Sequence, residues 1–435
     1  MSVAQTQVPV VLWPMKKIIP LRNTLIVMAI MIATGLFIYF DPFHWIIPDG
    51  YLRPPVEPAL AQELGLELEE LAMPAGDFLL QQVRQHRIIY LSELGGLAQE
   101  PLFFANHLED LVFEAGLEQL GLHILRADDQ VLIDQLMEAG TFDEELAKRL
   151  LFQRSVVWGY QEYLAIIRQA WQVNNRRPGA LRVIGLQIRQ DFSQILTQQD
   201  LQDPAKLRTL MNNGIPDRRM AEHLLEFLDP EQPKTTLLFV LREQTFPQID
   251  LPLYVQQMDG LGFPGEVQFA RLIYQAGFTQ SVSLTFHSPW PSNLTRNRSE
   301  FPADGAIDAA LDLWEESKRS TNQGNRNQSL YPIGFLFQGP FSALPIQRSL
   351  FNFGFSGEGA DTLLLGQSFD GTIVLDRIHR LTAAQVIPNF ITPENLSLAI
   401  EWFPGPTPTQ AQPNEVMNFM RRFAENRERV VKEFR

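Results

Sequence analysis

Residues 87–96 of this 435-residue chain read RIIYLSELGG, a short apolar run that ends in a carboxylate and a pair of glycines. Its β-branched and aromatic residues predict a strand that is buried on both faces, as strands of parallel sheets are. Four later segments are likewise short and mostly apolar: LGLHIL (120–125), LRVIGLQI (181–188), TLLFVL (236–241) and VSLTF (282–286). Helical spacing of apolar residues occurs between them, at 100–115, 129–137, 156–173, 204–211, 217–227 and 265–276. The alternation predicts an α/β fold with a mostly parallel sheet flanked by helices on both faces.

Changes in residue composition along the chain predict how the segments around this sheet are organised. Residues 76–400 form the main α/β domain, which a polar excursion rich in Pro and Asn interrupts at 288–328. A linker of Pro, Thr and Gln at 401–413 precedes an amphipathic basic helix at 414–435. That helix either packs on its own domain with a solvated basic face, or docks on an acidic protein or an anionic lipid surface.

The N-terminal region contains seventeen uncharged residues from Thr24 to Phe40. They predict one transmembrane helix within an anchor at 23–47, which a tether at 48–75 joins to the main domain. The tail, residues 1–22, carries Lys16, Lys17 and Arg22, so we expect it to be cytoplasmic and the main domain to be periplasmic or otherwise extracytoplasmic. The expected location is the inner membrane, with a single pass. Alternatives are a cleaved signal peptide or a buried core helix.

Composition excludes several classes of protein. The chain carries 36 Lys and Arg against 50 Asp and Glu, a net charge of −14, which argues against binding to nucleic acid. It has no cysteine, so disulfides, thiolate nucleophiles and Cys-ligated metal sites are excluded. None of its seven histidines is spaced four residues from another, which argues against a zinc site.

Five segments in their order along the chain resemble the erythromycin esterase-like superfamily, which includes haem-binding iron-uptake lipoproteins. They are RIIYLSELGG (87–96), GLHILRADD (121–129), LRVIGLQIR (181–189), TTLLFVLREQTF (235–246) and SFDGTIVLDRIHRLTA (368–383). The resemblance implies the same fold over residues 75–390 and a site built on a Gly-Glu-x-x-His signature. It also implies esterase chemistry or haem binding as functions to consider, with one histidine or Tyr90 as a haem ligand.

The signature of that superfamily is degenerate in this chain. Glu93 is kept, but Ser92 stands where glycine is expected and Gly95 or Gly96 stands where histidine is expected. Gln187 replaces the aspartate that ends the third strand. An imidazole is the usual general base beside such carboxylates. The sequence therefore predicts that this imidazole is missing, which favours a pseudoenzyme over an enzyme. No cofactor is predicted, with haem as the alternative.

Candidate site residues lie where the strands end, because ligands of parallel sheets bind at the carboxyl ends of the strands. Glu93, Glu243 and His287 form a possible rebuilt acid/base set. Alternatively, the two glutamates pair with arginines in a structural ion network. His123, inside an apolar strand, is interpreted as a core histidine. The predicted ligand-pocket residues are Arg126, Asp128, Gln187, Arg189 and Arg242.

Three functional hypotheses follow. The first is a membrane-anchored accessory or binding subunit of a membrane protein complex, which contacts the bilayer and a membrane protein through residues 8–47 and 414–435. The second is a divergent esterase-type hydrolase that uses Glu93, Glu243 and His287. The third is a binder of haem or of another small hydrophobic ligand. Two loops near Ser356 and Ser368 miss the Gly-x-Ser-x-Gly spacing of a serine nucleophile and are interpreted as turns.

Overall fold

The computed structural model describes most of the chain from residue 53 onward. The described residues are 53–190, 192, 195, 200, 203–211, 214–248, 258–291, 299–321, 329–349, 363–403 and 412–434. The predicted tail and anchor at 1–47 and the loop near Ser356 lie outside them. None of the helices in these ranges is long and apolar enough to cross a bilayer.

One eight-stranded sheet forms the centre of the fold, in the order β1-β9-β10-β6-β2-β5-β3-β4. The strands from β10 to β4 in this order are parallel, whereas β9 runs antiparallel to both β10 and β1. A separate pair joins β7 to β8. The strands are β1 Met73–Pro74, β2 Ile88–Glu93, β3 Gln119–Arg126, β4 Arg182–Gln187, β5 Thr236–Leu241, β6 Ser281–Phe286, β7 Trp290–Pro291, β8 Ser299–Glu300, β9 Ile333–Leu336 and β10 Gly371–Val374.

Helices cover both faces of the sheet. They are α1 Pro58–Leu71, α2 Ala75–Gln85, α3 Gln99–Phe113, α4 Gln130–Glu138, α5 Glu144–Arg154, α6 Gln161–Arg176, α7 Pro204–Leu210, α8 Pro216–Leu225, α9 Phe269–Gln275, α10 Ala306–Thr321, α11 Gly339–Ser342, α12 Leu365–Ser368, α13 Leu396–Glu401 and α14 Pro413–Lys432. The mostly parallel α/β fold predicted from the sequence is confirmed.

The central strand β2 shows why the strand pattern is continuous rather than alternating. Ile89 and Leu91 join one apolar cluster, with α3 and α6, while Ile88 and Tyr90 join a second cluster on the opposite face. Every residue of β2 is buried. A strand that packs against helices on both sides needs apolar side chains at odd and even positions alike.

Several details of the helix prediction differ from the structure. Helices α2 and α5 were not predicted, and the stretch predicted at 156–173 is divided into a 3-10 turn at Val156–Trp158 and α6. At the division, Tyr160 has extended backbone and pairs with Val386 in an isolated bridge. Within the segment predicted as a tether, α1 packs against α10 and buries Leu64 and Leu68.

The C-terminal helix α14 packs on the main domain. Val416, Met420 and Ala424 belong to the large apolar cluster that also contains residues of β2, α3 and α6. The hydroxyl of Tyr160 donates to the carbonyl of Met420 at 3.0 Å. Of the two alternatives considered for this helix, its contacts within the chain therefore show the first, packing on its own domain.

Strands β3 and β4 lose their regular register between Leu122 and Arg126. Such an irregularity turns side chains away from the faces that strict alternation assigns to them. Gly185 lies opposite and accommodates the displaced backbone, because a Cβ at this position would lie 2.2 Å from the carbonyl oxygen of Arg126.

We expect Gly185→Ala to destabilise the fold by about 1–3 kcal/mol, since backbone must shift to admit the methyl group. Gly140→Ala is the matched control, because a Cβ there has no neighbour within 4 Å and should change stability by less than about 0.5 kcal/mol. Urea unfolding measures both. Equal midpoints for the two variants would contradict this view of the irregularity.

Candidate active site

Glu93 is the last residue of β2 and lies at the carboxyl end of the sheet. Its side chain is fully buried. Burial raises the pKa of its carboxyl to about 8, although the hydrogen bond from Tyr163 and the charge of Arg242 oppose the shift. A carboxyl group with this environment is poised to exchange a proton near neutral pH, as catalytic acids and bases do.

His123 contacts Glu93 directly, with 2.6 Å between its Nε2 and Oε1 of the glutamate. The prediction that the imidazole is missing is therefore wrong. No imidazole stands at the signature positions, Gly95 and Gly96. Strand β3, which is two positions from β2 in the sheet, supplies the imidazole of His123 instead. The interpretation of His123 as an ordinary core histidine misses this partner.

The irregularity in β3 aims His123 at the glutamate. Gly121, two residues earlier, faces Leu186 and Leu238 on the opposite side of the sheet. Strict alternation would put His123 on that side as well. Instead its ring meets Trp158 edge-on at 5.0 Å, on the side where Glu93 lies.

The surroundings of His123 keep the imidazole neutral. Burial lowers its pKa, and the nearby charge of Arg154 lowers it further. Arg154 Nε also donates to the backbone carbonyl of His123 at 2.9 Å. The second ring nitrogen, Nδ1, is buried and has no hydrogen-bond partner. With Nε2 engaged by Glu93, Nδ1 is the nitrogen left to accept a proton.

Tyr163, on α6, completes the contacts of the pair. Its hydroxyl lies 2.9 Å from each carboxylate oxygen of Glu93 and donates to them. Burial raises the pKa of Tyr163 well above its ordinary value, with the negative charge of Glu93 as a further cause. The hydroxyl therefore stays protonated and acts as a fixed donor.

A second buried network adjoins this pair. Ser288 Oγ donates to Glu100 at 2.7 Å and accepts from Arg242 at 2.6 Å, and the backbone N–H of Leu94 donates to the other oxygen of Glu100 at 2.9 Å. Burial raises the pKa of Glu100 to about 7, against the opposing charge of Arg242. Two adjacent carboxyl groups with raised pKa values and one buried guanidinium thus share this end of the sheet.

The cluster is covered in this structure. A Cβ at Gly95 would lie 3.0 Å from Trp158, and one at Gly96 would lie 3.2 Å from Arg427 and 3.3 Å from Phe423, both on α14. Both glycines have positive φ, which side chains rarely tolerate. The two glycines let the chain turn after β2 in close contact with Trp158, Phe423 and Arg427.

Among the residues that the structure describes, no hydrogen bond or ion pair joins the set predicted from the sequence, Glu93, Glu243 and His287. Glu243 is exposed, in the turn after β5. His287 is buried beside Asp308, with 3.2 Å between Nε2 and Oδ1. Its partner is thus an aspartate of α10.

The predicted ligand-pocket residues are dispersed. Arg242 belongs to the buried network, but Arg126 pairs with Asp128 at 2.6 Å and Arg189 with Glu401 at 2.9 Å. Gln187 is buried at the end of β4, where its Oε1 accepts from the next backbone N–H at 3.3 Å. Sequence reasoning missed Tyr163, Glu100, Ser288 and Arg427. A polar side chain in an otherwise apolar strand, as His123 is, was the available signal.

The described residues hold no group of three or more His, Asp and Glu side chains arranged to bind a metal ion. Tyr90, considered as a haem ligand, is buried on the opposite face of β2 against Phe269, and its hydroxyl has no partner.

Titration of Glu93 predicts how stability depends on pH. Its pKa is about 8 in the folded chain against an ordinary value of 4.5, so between these values the folded chain holds a proton that the unfolded chain releases. The stability contributed by the protonated form is therefore lost as pH rises towards 8. We expect Glu93→Gln, which cannot ionise, to gain stability relative to wild type between pH 5 and 8, by about 1–3 kcal/mol.

Urea unfolding across this pH range measures the difference. Glu425→Gln, at an exposed position of α14, is the control and should show a constant difference. A Glu93→Gln difference that does not grow with pH would show that Glu93 is ionised throughout.

No family model and no curated protein matches the sequence. Among solved structures, the chain is similar to a succinoglycan biosynthesis protein, with 11% identity, a TM-score of 0.48, and 76% of this chain and 100% of that chain covered. It is also similar to a histidine-to-asparagine variant of erythromycin esterase EreC, with 10% identity, a TM-score of 0.42 and coverage of 73% and 95%. Haem-binding ChaN of Campylobacter jejuni has 13% identity, a TM-score of 0.30 and coverage of 48% and 85%. At these identities the comparisons concern the fold and assign neither a family nor an activity.

Proposed function

We propose that the protein is a hydrolase that cleaves an ester-type bond, with Glu93 and His123 as its acid/base pair. The observation that carries the proposal is the 2.6 Å contact between His123 Nε2 and Glu93 Oε1 at the carboxyl end of the parallel sheet. Imidazole–carboxylate pairs activate water or a hydroxyl by holding the ring in one tautomer and stabilising the imidazolium that forms.

The proton path follows from which atoms are occupied. When Glu93 is ionised, it accepts Nε2–H from His123 and leaves Nδ1 as a bare acceptor. A water held at Nδ1 gives up its proton there while its oxygen attacks the carbonyl carbon of the ester. The imidazolium then returns the proton to the leaving alkoxide, and the products are an acid and an alcohol.

The neighbouring groups hold this pair in place. Tyr163 fixes the carboxylate of Glu93 with its hydroxyl, and Trp158 limits rotation of the His123 ring. Arg242 is held by Thr285 at 3.0 Å and by the carbonyl of Pro289 at 2.9 Å, so its charge is fixed near Glu93, where it would stabilise developing negative charge. Because Trp158 and α14 cover the cluster, a substrate enters only after one of them moves.

We expect Glu93→Gln and His123→Gln each to lower kcat/KM by about 100-fold or more on p-nitrophenyl esters. Residues that act as a unit are not additive, so the double variant should be no worse than either single one. His379→Gln, outside the cluster, controls for adventitious imidazole catalysis. Ester hydrolysis that survives both substitutions unchanged would remove the proposed pair.

The ionisation of Glu93 predicts a pH profile. Activity requires the carboxylate, whose pKa burial raises to about 8, so kcat/KM should rise with pH and level off above about 8. The rate measured from pH 6 to 10 with one neutral ester checks this. A profile that already levels off at pH 6 would point to a different base.

A membrane-anchored accessory subunit is the second candidate. The observation that favours it is the closed site beneath Trp158 and α14. The exposed basic residues of α14, Arg421, Arg422, Arg429 and Lys432, would face an acidic partner or lipid surface. Purification of the full chain in mild detergent, followed by mass spectrometry, tests this candidate. A chain that elutes without a stoichiometric partner argues against it.

A further inference from the structure

Arg427 of α14 reaches into the cluster but is bonded to none of it. Its Nε is buried and has no hydrogen-bond partner. Within the described parts of the chain, no carboxylate forms an ion pair with its guanidinium. Its carbon chain packs over Gly96, and its guanidinium lies 5.3 Å from the centre of the Phe423 ring.

The groups that face Arg427 come from three elements. Glu243 follows β5, Glu100 lies on α3, and Tyr160 and Tyr163 lie at the start of α6. Their charges and hydroxyls influence the guanidinium without touching it. Burial lowers the pKa of Arg427, yet an arginine in this setting keeps its proton.

Arg242, by contrast, has four of its five N–H donors occupied by the protein. Its three nitrogens donate to Thr285, Pro289, Phe286 and Ser288 at 2.6–3.2 Å. Arg242 therefore keeps one N–H, whereas Arg427 can offer a ligand the pair of N–H groups that a two-point contact needs. Guanidinium groups with free donors bind carboxylate or phosphate through two parallel hydrogen bonds.

We infer that Arg427 is a specificity-determining residue that binds an anionic group, a carboxylate or a phosphate, on the substrate. The inference rests on the proposed function, because it concerns the substrate that Glu93 and His123 cleave. It makes α14 part of the substrate site rather than only its cover.

Paired esters test the inference on the full chain. The probes are p-nitrophenyl acetate, which is neutral, and mono-p-nitrophenyl succinate, which carries a free carboxylate. Wild type should prefer the succinate ester by about tenfold or more in kcat/KM. Arg427→Gln should abolish this preference, chiefly by raising KM for the succinate ester. Arg427→Lys should retain part of it.

Arg422→Gln is the matched control, since Arg422 is exposed on the same helix. An unchanged preference in Arg427→Gln overturns the inference and leaves the proposed hydrolase intact. If Arg427→Gln does not fold, equal rates of wild type on the two esters overturn it instead.

A binding measurement separates the two proposals. Succinate and inorganic phosphate, but not succinamide, should raise the melting temperature of wild type and of Arg422→Gln, but not that of Arg427→Gln. This result without any ester hydrolysis keeps the anion site and removes the hydrolase. Absence of stabilisation by either anion, together with equal rates on the two esters, removes the anion site.

Discussion

The contact between Glu93 and His123 constrains the rest of this end of the sheet. Moving a carboxyl group and an imidazole out of water without partners costs several kcal/mol, so each must find hydrogen bonds inside the protein. Glu93 has two partners, His123 and Tyr163, while His123 keeps one nitrogen unpaired. A fold selected for stability alone would fill these positions with apolar side chains of similar size. The retained polar groups are consistent with the proposed acid/base role of Glu93 and His123.

The strand order makes the contact possible. Strand β5 lies between β2 and β3, so the side chains of Glu93 and His123 approach each other over the Phe239 side of the sheet. Leu122 and Ile124 already occupy that side, and a regular strand could not add the intervening residue to it. The loss of register opposite Gly185 supplies the rotation. The two strands thus give up regular pairing at this point, and the irregularity orients the imidazole of His123 towards Glu93.

The sequence predicted the parts of the structure that depend on local pattern. The apolar strands and amphipathic helices follow from spacing, and Glu93 follows from its place at the end of a strand. The position of His123 could not be predicted, because period-two alternation assigns it to the other face and only the paired strand reveals the irregularity. Tyr163 follows the apolar spacing of its helix and so resembles a core residue. Ser288 and Arg427 lie 195 and 334 residues from Glu93 in sequence, and no local pattern connects them with it.

The position of α14 ties access, charge and stability together. Its apolar face shares the main core, so the helix cannot leave without exposing Val416, Met420 and Ala424. Yet the same helix carries an arginine whose charge is only partly offset, which weakens its attachment. An anion that bound Arg427 would remove this cost and hold the helix more firmly over the site. Binding of substrate would then close the site and exclude water around Glu93 and His123, where a lower dielectric strengthens each electrostatic contact. If Arg427 were already paired with a carboxylate of the protein, an anionic substrate would not strengthen the attachment of α14. This gives a physical reason for an arginine without an ion-pair partner at this position.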